Sequence, residues 1–328
     1  MSGRIICALA LVAGLAACTG APGAGGLMPV GAGTTNSPAV AGPAASGVRL
    51  FTADRDAGSL LAFNLGASGD VRPALKLHGK KTRLRLPSSL AVDSGGYVYA
   101  ANDGATQVVV FAPDAGGNAK PARSIGGPHA GLGPASGLLV DPSGNLWVSS
   151  SANNSIAEFA PGADGDVTPI ATIGGSNTQL YTPAVMVMST NGRLYVADQT
   201  AGEIVIFAPG ASGNATPIAT IGGSSTELAG PNTLAFDSKG RLLVADQYSG
   251  VLVFAKGASG NAAPVARITT LVRPSGVIAD DQDNIWTADF SGQSIDEFAA
   301  NANGNATPQR KIAGTKTHLN GPTYLGVH

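Results

Sequence analysis

The chain has 328 residues, 44% of them apolar and only 12% charged, with a formal net charge of −1. A near-neutral chain without a basic surplus lacks the electrostatic footprint of a nucleic-acid binder. Two cysteines cannot make a disulfide framework, and aromatic residues are sparse at 5%.

The N-terminal 47 residues stand apart in composition. Met1 to Arg4 is a short basic start, Ile5 to Gly14 is apolar, and Leu15-Ala16-Ala17-Cys18 follows at once. This order resembles a bacterial lipoprotein signal with its lipobox. The apolar run is too short to span a bilayer, and small residues stand where cleavage is expected. The resemblance implies removal of residues 1–17 and lipidation of Cys18 as the new N-terminus. It also implies a lipid anchor in the bacterial cell envelope, on the periplasmic or cell-surface side. Thr19 in place of Asp implies the outer membrane if the source is Gram-negative. Residues 19–46 are uncharged Gly, Ala, Pro, Ser and Thr with a few similar residues, so 18–47 is expected to be a disordered tether. Cys7 falls in the lost segment and Cys18 is taken by lipid, so no disulfide or thiolate site is expected. No stretch after Cys18 is apolar for long enough to cross a membrane.

From Val48 onward the chain repeats itself. QVVVFAPDAGGNAKP around Phe111, EIVIFAPGASGNATP around Phe207 and GVLVFAKGASGNAAP around Phe254 are close copies, with weaker ones at Phe63, Phe159 and Phe298. The intervals are 48, 48, 48, 47 and 44 residues. Each unit holds four short β-rich runs separated by Gly, Asn, Asp and Pro turns, without a helical period. The third run is apolar at consecutive positions, which predicts burial on both faces. Four-stranded sheets packed face to face around an axis provide that burial. The predicted fold is therefore all-β, a six-bladed β-propeller over 48–328 with four antiparallel strands per blade. The first run, RLFTAD, reads as a second strand, and the terminal PTYLGVH reads as a first strand. The C-terminal strand is thus predicted to complete the N-terminal blade and to hide the open sheet edges. Phe51, Tyr99, Trp147, Tyr195 and Trp286 mark the second strands, with Leu243 the exception.

The unit PNTLAFDSKGRLLVADQYSGVLVF, Pro231 to Phe254, resembles the NHL repeat. It is also similar to the six-bladed virginiamycin B lyase and gluconolactonase-like propellers. The resemblance covers all six units and implies two kinds of function. NHL propellers mostly bind proteins, RNA or extracellular ligands. The enzyme relatives place metal ligands and acid–base residues at the channel mouth, the lyases using a His with a nearby Glu and magnesium.

Six residues close the second strands: Asp54, Asn102, Ser150, Asp198, Asp246 and Asp289. Carboxylates of Asp54, Asp198, Asp246 and Asp289 in a ring have the oxygen donors for an unspecified divalent cation. An Asp at a strand end also caps its own turn, and recurrence in four of six units favours the cap. His129, His318 and His78 lie in connections entering first strands, and of the four Glu only Glu227 shares that type of loop. His129 or His318 with Glu227 is the material for a metal-assisted lyase or lactonase. PGADGDVTP, with Asp164 and Asp166, lacks the remaining ligands of a calcium loop and reads as turn chemistry. Glu158 and Glu297 occupy one position in opposite units and read as shared ancestry of two blades.

The strongest chemical asymmetry is basic. Lys80, Lys81, Arg83 and Arg85 stand where other units carry Gly, Ser and Thr. Such a cluster attracts an anionic ligand, glycan or lipid headgroup. The expected function is an envelope-anchored, monomeric binding or scaffold module for a protein, glycan or small ligand. Contact is expected through Lys80, Lys81, Arg83 and Arg85 and the polar turns at Asp198, Gln199, Asp246, Gln247 and Tyr248, without a resident cofactor.

Overall fold

The computed structural model describes residues 48–328; the expected signal segment 1–17, Cys18 and the expected tether lie outside the described residues. The described chain forms six four-stranded antiparallel sheets. Blade 1 joins β1 (Arg49–Asp54), β2 (Ser59–Asn64) and β3 (Leu75–Leu77) to β24 (Pro322–Val327), in the order β24-β1-β2-β3. The C-terminal strand closes the ring as expected, with Thr52 opposite Leu325 and Phe51 opposite Gly326.

Blade 2 holds β4 (Pro87–Val92), β5 (Val98–Asn102), β6 (Gln107–Phe111) and β7 (Arg123–Ile125). Blade 3 holds β8 (Ala135–Val140), β9 (Leu146–Ser150), β10 (Ser155–Phe159) and β11 (Ala171–Gly174). Blade 4 holds β12 (Pro183–Met188), β13 (Leu194–Asp198), β14 (Glu203–Phe207) and β15 (Ala219–Ile221). Blade 5 holds β16 (Pro231–Phe236), β17 (Leu242–Asp246), β18 (Gly250–Phe254) and β19 (Ala266–Ile268). Blade 6 holds β20 (Pro274–Ala279), β21 (Ile285–Asp289), β22 (Ser294–Phe298) and β23 (Arg310–Ile312).

The first strands adjoin one another all the way round, β4 beside β8, then β12, β16, β20, β24 and β4 again. They therefore line the central channel. Second and third strands are sandwiched between blades, which is why VVVF, IVIF and VLVF are buried at consecutive positions. The third-strand aromatics Phe63, Phe111, Phe159, Phe207, Phe254 and Phe298 are all fully buried, each in a core cluster between two blades. The proline opening most first strands costs no ladder bond, because each such strand begins at a register shift.

The repeated GASGN loops do more than turn the chain. They leave the third strand on the face of the first-to-second-strand turns. They then lie along the fourth strand of the preceding blade. Gly117 pairs in parallel with Leu77, Gly165 with Ile125, Gly213 with Ile173, Gly260 with Ile221, Gly304 with Ile268, and Gly69 with Ile312. The next residue reaches the opposite, mouth-side end. Asn118 Oδ1 accepts from Lys81 N–H at 2.8 Å, Asn214 from Asn177 at 2.7 Å, Asn261 from Ser225 at 2.6 Å and Asp70 from Lys316 at 2.6 Å. A glycine with φ of 115–123° lies beneath each of these side chains, and a Cβ there would meet the Asn or Asp atoms at 2.5–2.7 Å. The loop copies are near-identical because each clamps its blade to the one before.

Candidate functional site

The mouth of the channel is framed by two rings of equivalent positions. The second residue of each first strand forms an inner collar: Ser88, Ser136, Ala184, Asn232, Ser275 and Thr323. The residue after each second strand forms an outer ring: Arg55, Asp103, Ser151, Gln199, Gln247 and Phe290. All of these except Gln247 line a cavity of about 380 Å³, together with Arg273. Arg273 precedes the Pro that opens β20. Its guanidinium lies 4.9 Å from the centre of the Phe290 ring and donates to Gln247 Oε1 at 3.1 Å. In the neighbouring blade 1, Arg55 sits 3.5 Å from Asp103 Oδ2 of blade 2 and 4.0 Å from Asp56 Oδ1. Ser275 and Thr323 spend their hydroxyls on Pro322 and Ala53 carbonyls, fixing the collar. Arg273 was not singled out by the sequence; its signal was a cation where other units carry an uncharged residue before the entry proline.

The carboxylates beneath the outer ring are turned inward. Asp198 accepts from the N–H groups of Tyr181, Thr182 and Ala201. Asp246 accepts from Ala229, Gly230, Tyr248 and Ser249, and Asp289 from Val272, Arg273 and Gly292. Asp54 accepts from Asn320 at 2.7 Å and Ala57 at 3.4 Å, and Asn102 substitutes for it in blade 2 by accepting from Arg85 N–H and donating to Arg83 C=O. These four carboxylates tie the second-to-third-strand turn to the incoming connection, and their oxygens are committed to backbone N–H groups rather than converged on a metal. Among the described residues no group of three or more His, Cys, Asp or Glu is placed to hold a metal ion. Burial pushes the Asp54 carboxyl up to about 6, against the pull of its two backbone donors. Glu203 is raised too, by burial and then by Asp198 beside it.

The three acid–base candidates occupy separate connections. Glu227 and His318 hold the same left-handed position, φ 59°, after the short turns Ser224–Thr226 and Thr315–Thr317, as do Arg83 and Gln179 in theirs. Glu227 pairs with Arg267 at 2.8 Å. His129 Nδ1 lies 2.7 Å from Asp166 Oδ2, and the same carboxylate accepts from the His129 and Ala130 N–H groups. This pairing lowers the Asp166 carboxyl. Asp164 likewise accepts from Ser124 N–H, so the PGADGDVTP loop serves the inter-blade clamp. None of His129, His318 and Glu227 lines the mouth cavity.

The basic connection is internally hydrogen-bonded and outward-facing. Thr82 Oγ1 donates to Gly79 C=O at 2.6 Å and accepts from Leu84 N–H, and Asn118 caps Lys81. Lys80, Lys81, Arg83 and Arg85 are exposed, outside the mouth cavity, and no carboxylate lies within 4.0 Å of any of them among the described residues. Gln199 lines the mouth directly, Gln247 orients Arg273, and Tyr248 is 74% exposed beside them. Glu158 and Glu297 lie inside blades: Glu297 pairs with Arg310 at 3.1 Å, and Glu158 accepts from Asn145 at 2.9 Å. Burial raises both carboxyls.

No family model matches the chain, and no curated protein matches it. Solved structures match over most of its length. A protein of unknown function from Bacteroides caccae superposes with a TM-score of 0.62 at 13% identity, covering 86% of this chain and 99% of its own. A streptogramin B lyase superposes at 0.57 and 14% identity, covering 86% and 84%. A candidate 6-phosphogluconolactonase from Bacteroides uniformis ATCC 8492 superposes at 0.58 and 14% identity, covering 86% and 99%. At such identities the likeness is one of fold. The chain is a six-bladed β-propeller, similar in architecture to a lyase, a candidate lactonase and a protein of unknown function.

Proposed function

We propose that the protein is an envelope-anchored binding module, held by lipid on Cys18 and recognising its ligand non-covalently through the mouth face. One observation carries this reading: in five of the six blades a carboxylate or amide cap doing the same task stands beside a chemically varied neighbour. Asp54, Asn102, Asp198, Asp246 and Asp289 do one structural task, while the adjoining Arg55, Asp103, Gln199, Gln247 and Phe290 differ from blade to blade. A rigid ring presenting unlike polar groups around one cavity suits recognition of an asymmetric protein, glycan or small polar ligand. The exposed cations Lys80, Lys81, Arg83 and Arg85 at the rim favour anionic partners and speed their encounter. The protein acts as a monomer at the membrane through its anchor, without nucleic acid.

Two experiments test the reading. Cys18→Ser should move the protein from the membrane to the soluble fraction; equal partitioning of variant and wild type removes the anchor. Titration with envelope glycan fragments should show binding that is lost in the variant Gln199→Ala/Arg273→Gln/Phe290→Ala at an unchanged unfolding temperature. Lys80→Ser/Lys81→Ser/Arg83→Ser/Arg85→Ser should keep binding but lose its salt dependence. Retention of full affinity by the mouth triple variant refutes the mouth as the site. The enzyme alternative requires tight binding of a divalent metal, which a calorimetric titration of the full chain with magnesium or calcium decides.

A further inference from the structure

The face opposite the mouth carries a larger cleft, of about 900 Å³, opened across blades 2, 3 and 4 by their first-to-second-strand turns. What sets it apart is a broken ion pair. Three positions align across strands two, three and four of every blade. In blade 6 they are Trp286, Glu297 and Arg310, and the guanidinium is neutralised by the carboxylate at 3.1 Å. In blade 3 they are Trp147, Glu158 and Ala171, an acid without its arginine. In blade 2 they are Tyr99, Val110 and Arg123, an arginine without its acid. The remaining blades have neither charge in this row.

Arg123 is half-buried, and no carboxylate lies within 4.0 Å of its guanidinium among the described residues. The group lies over two aromatic rings instead, 5.2 Å from the centre of Tyr97 and 5.6 Å from that of Tyr99, and donates to Tyr99 Oη at 3.1 Å. Tyr99 Oη in turn donates to Asp93 Oδ2 at 3.1 Å, which locks the platform. Gly162 of blade 3 faces Nη1 across the cleft, and its φ of 78° suits a residue with no side chain to cover the cation. The rest of the cleft mixes apolar groups, Val140, Pro161 and Met188 among them, with polar ones such as Ser189 and Thr190.

We propose that this cleft is a second binding site, independent of the mouth, for a small organic monocarboxylate with an apolar body. The carboxylate takes the free edge of the Arg123 guanidinium in charge-assisted hydrogen bonds, and the body lies against the Tyr97 ring and the apolar wall. The volume suits a ligand of several ring systems. The charge limit follows from Asp93 and Asp141 at the rim. Both carboxylates are held by their own turns, Asp93 by Gly95, Tyr97 and Tyr99, and Asp141 by Ser143, Asn145 and Trp147. Two carboxylates at the rim disfavour a polyanion.

The test uses the full chain with 1-naphthoate as probe, read by quenching of tyrosine emission and by calorimetry. Naphthoate should bind, and naphthalene-1-carboxamide, of the same shape without the charge, should bind at least about tenfold more weakly. Arg123→Gln should weaken naphthoate by a similar factor at an unchanged unfolding temperature, and naphthalene-1,4-dicarboxylate should bind more weakly than the monoacid. The mouth variant Arg273→Gln should bind naphthoate like the wild type, so failure of the mouth reading and failure of this one are told apart. Absence of naphthoate binding, equal affinity for the carboxamide, or full affinity in Arg123→Gln overturns the proposal. Where Arg123→Gln unfolds early, Gly162→Asp, which sets a carboxylate against Nη1, should block the probe; undiminished binding by that variant overturns it equally.

Discussion

Ring closure by β24 makes the C-terminal seven residues a clasp, and Leu325 is its pin. The side chain is fully buried in the cluster between blades 6 and 1, with Leu50, Leu61, Phe63, Trp286 and Ile312. Leu325→Ala removes buried methyl groups from a packed site whose surroundings, fixed by two sheets, can collapse only in part. Such changes cost about 2–5 kcal/mol. In a chain this large each kcal/mol moves the midpoint by about 2 °C, so the expected drop is about 4–10 °C. Val327→Ala, at a position 39% exposed on the same strand, is the control and should lie within about 0.5 kcal/mol of wild type. Deleting Pro322–His328 should do far more, because β1 then loses its inner partner and exposes an unpaired edge beside the channel. Thermal unfolding followed by circular dichroism, with light scattering for aggregation, reads all three. Equal midpoints for Leu325→Ala and Val327→Ala, or a soluble truncation unfolding like wild type, refute the clasp.

Other perturbations test separate parts of the account. Asp54 holds its proton up to about pH 6 in the folded chain but releases it near 3.8 when unfolded. The folded state therefore binds more protons between these values, and stability contributed by this group falls as pH rises from about 4 to 6, by up to about 3 kcal/mol. Asp54→Asn adopts the arrangement Asn102 already uses in blade 2 and does not titrate, so in urea unfolding from pH 4 to 7 the stability of the variant relative to wild type should rise as pH increases over that window; a flat difference contradicts the buried-acid assignment. Gly137→Val should fail to pack, since even a Cβ strikes the Ala184 carbonyl and comes 2.7 Å from Val185 Cα on the next first strand; a midpoint within 2 °C of wild type would contradict the close approach of blades 3 and 4. Asn214→Ala removes one inter-blade cap and should cost about 1 kcal/mol, with faster amide exchange at Asn177 as its local signature.

The parts of this protein written in single units were legible in the sequence. The period, the doubly buried third strands, the aromatic markers and the split first blade all follow from residues near one another in the chain. The turn-capping role of Asp198 or Asp246 was legible for the same reason, since its recurrence pointed to structure. The reach of Asn118, Asn214 and Asn261 was not, because each serves a connection 36 or 37 residues earlier. Their repetition looked like turn chemistry until the blades were set side by side.

The sites divide along the same line. Gln199, Gln247 and the basic connection could be placed on the mouth face from strand order alone. Whether His129, Glu227 and His318 meet could not, because each sits on a different spoke of the ring, and ring geometry keeps equivalent positions apart. Sequence by itself determined the architecture, because a repeated local pattern has one way to bury its apolar rows. Only the tertiary structure decided which charges find partners: it gave Glu297 its Arg310 and left Arg123 on two tyrosines, since pairing depends on which rows the sheet register brings opposite one another.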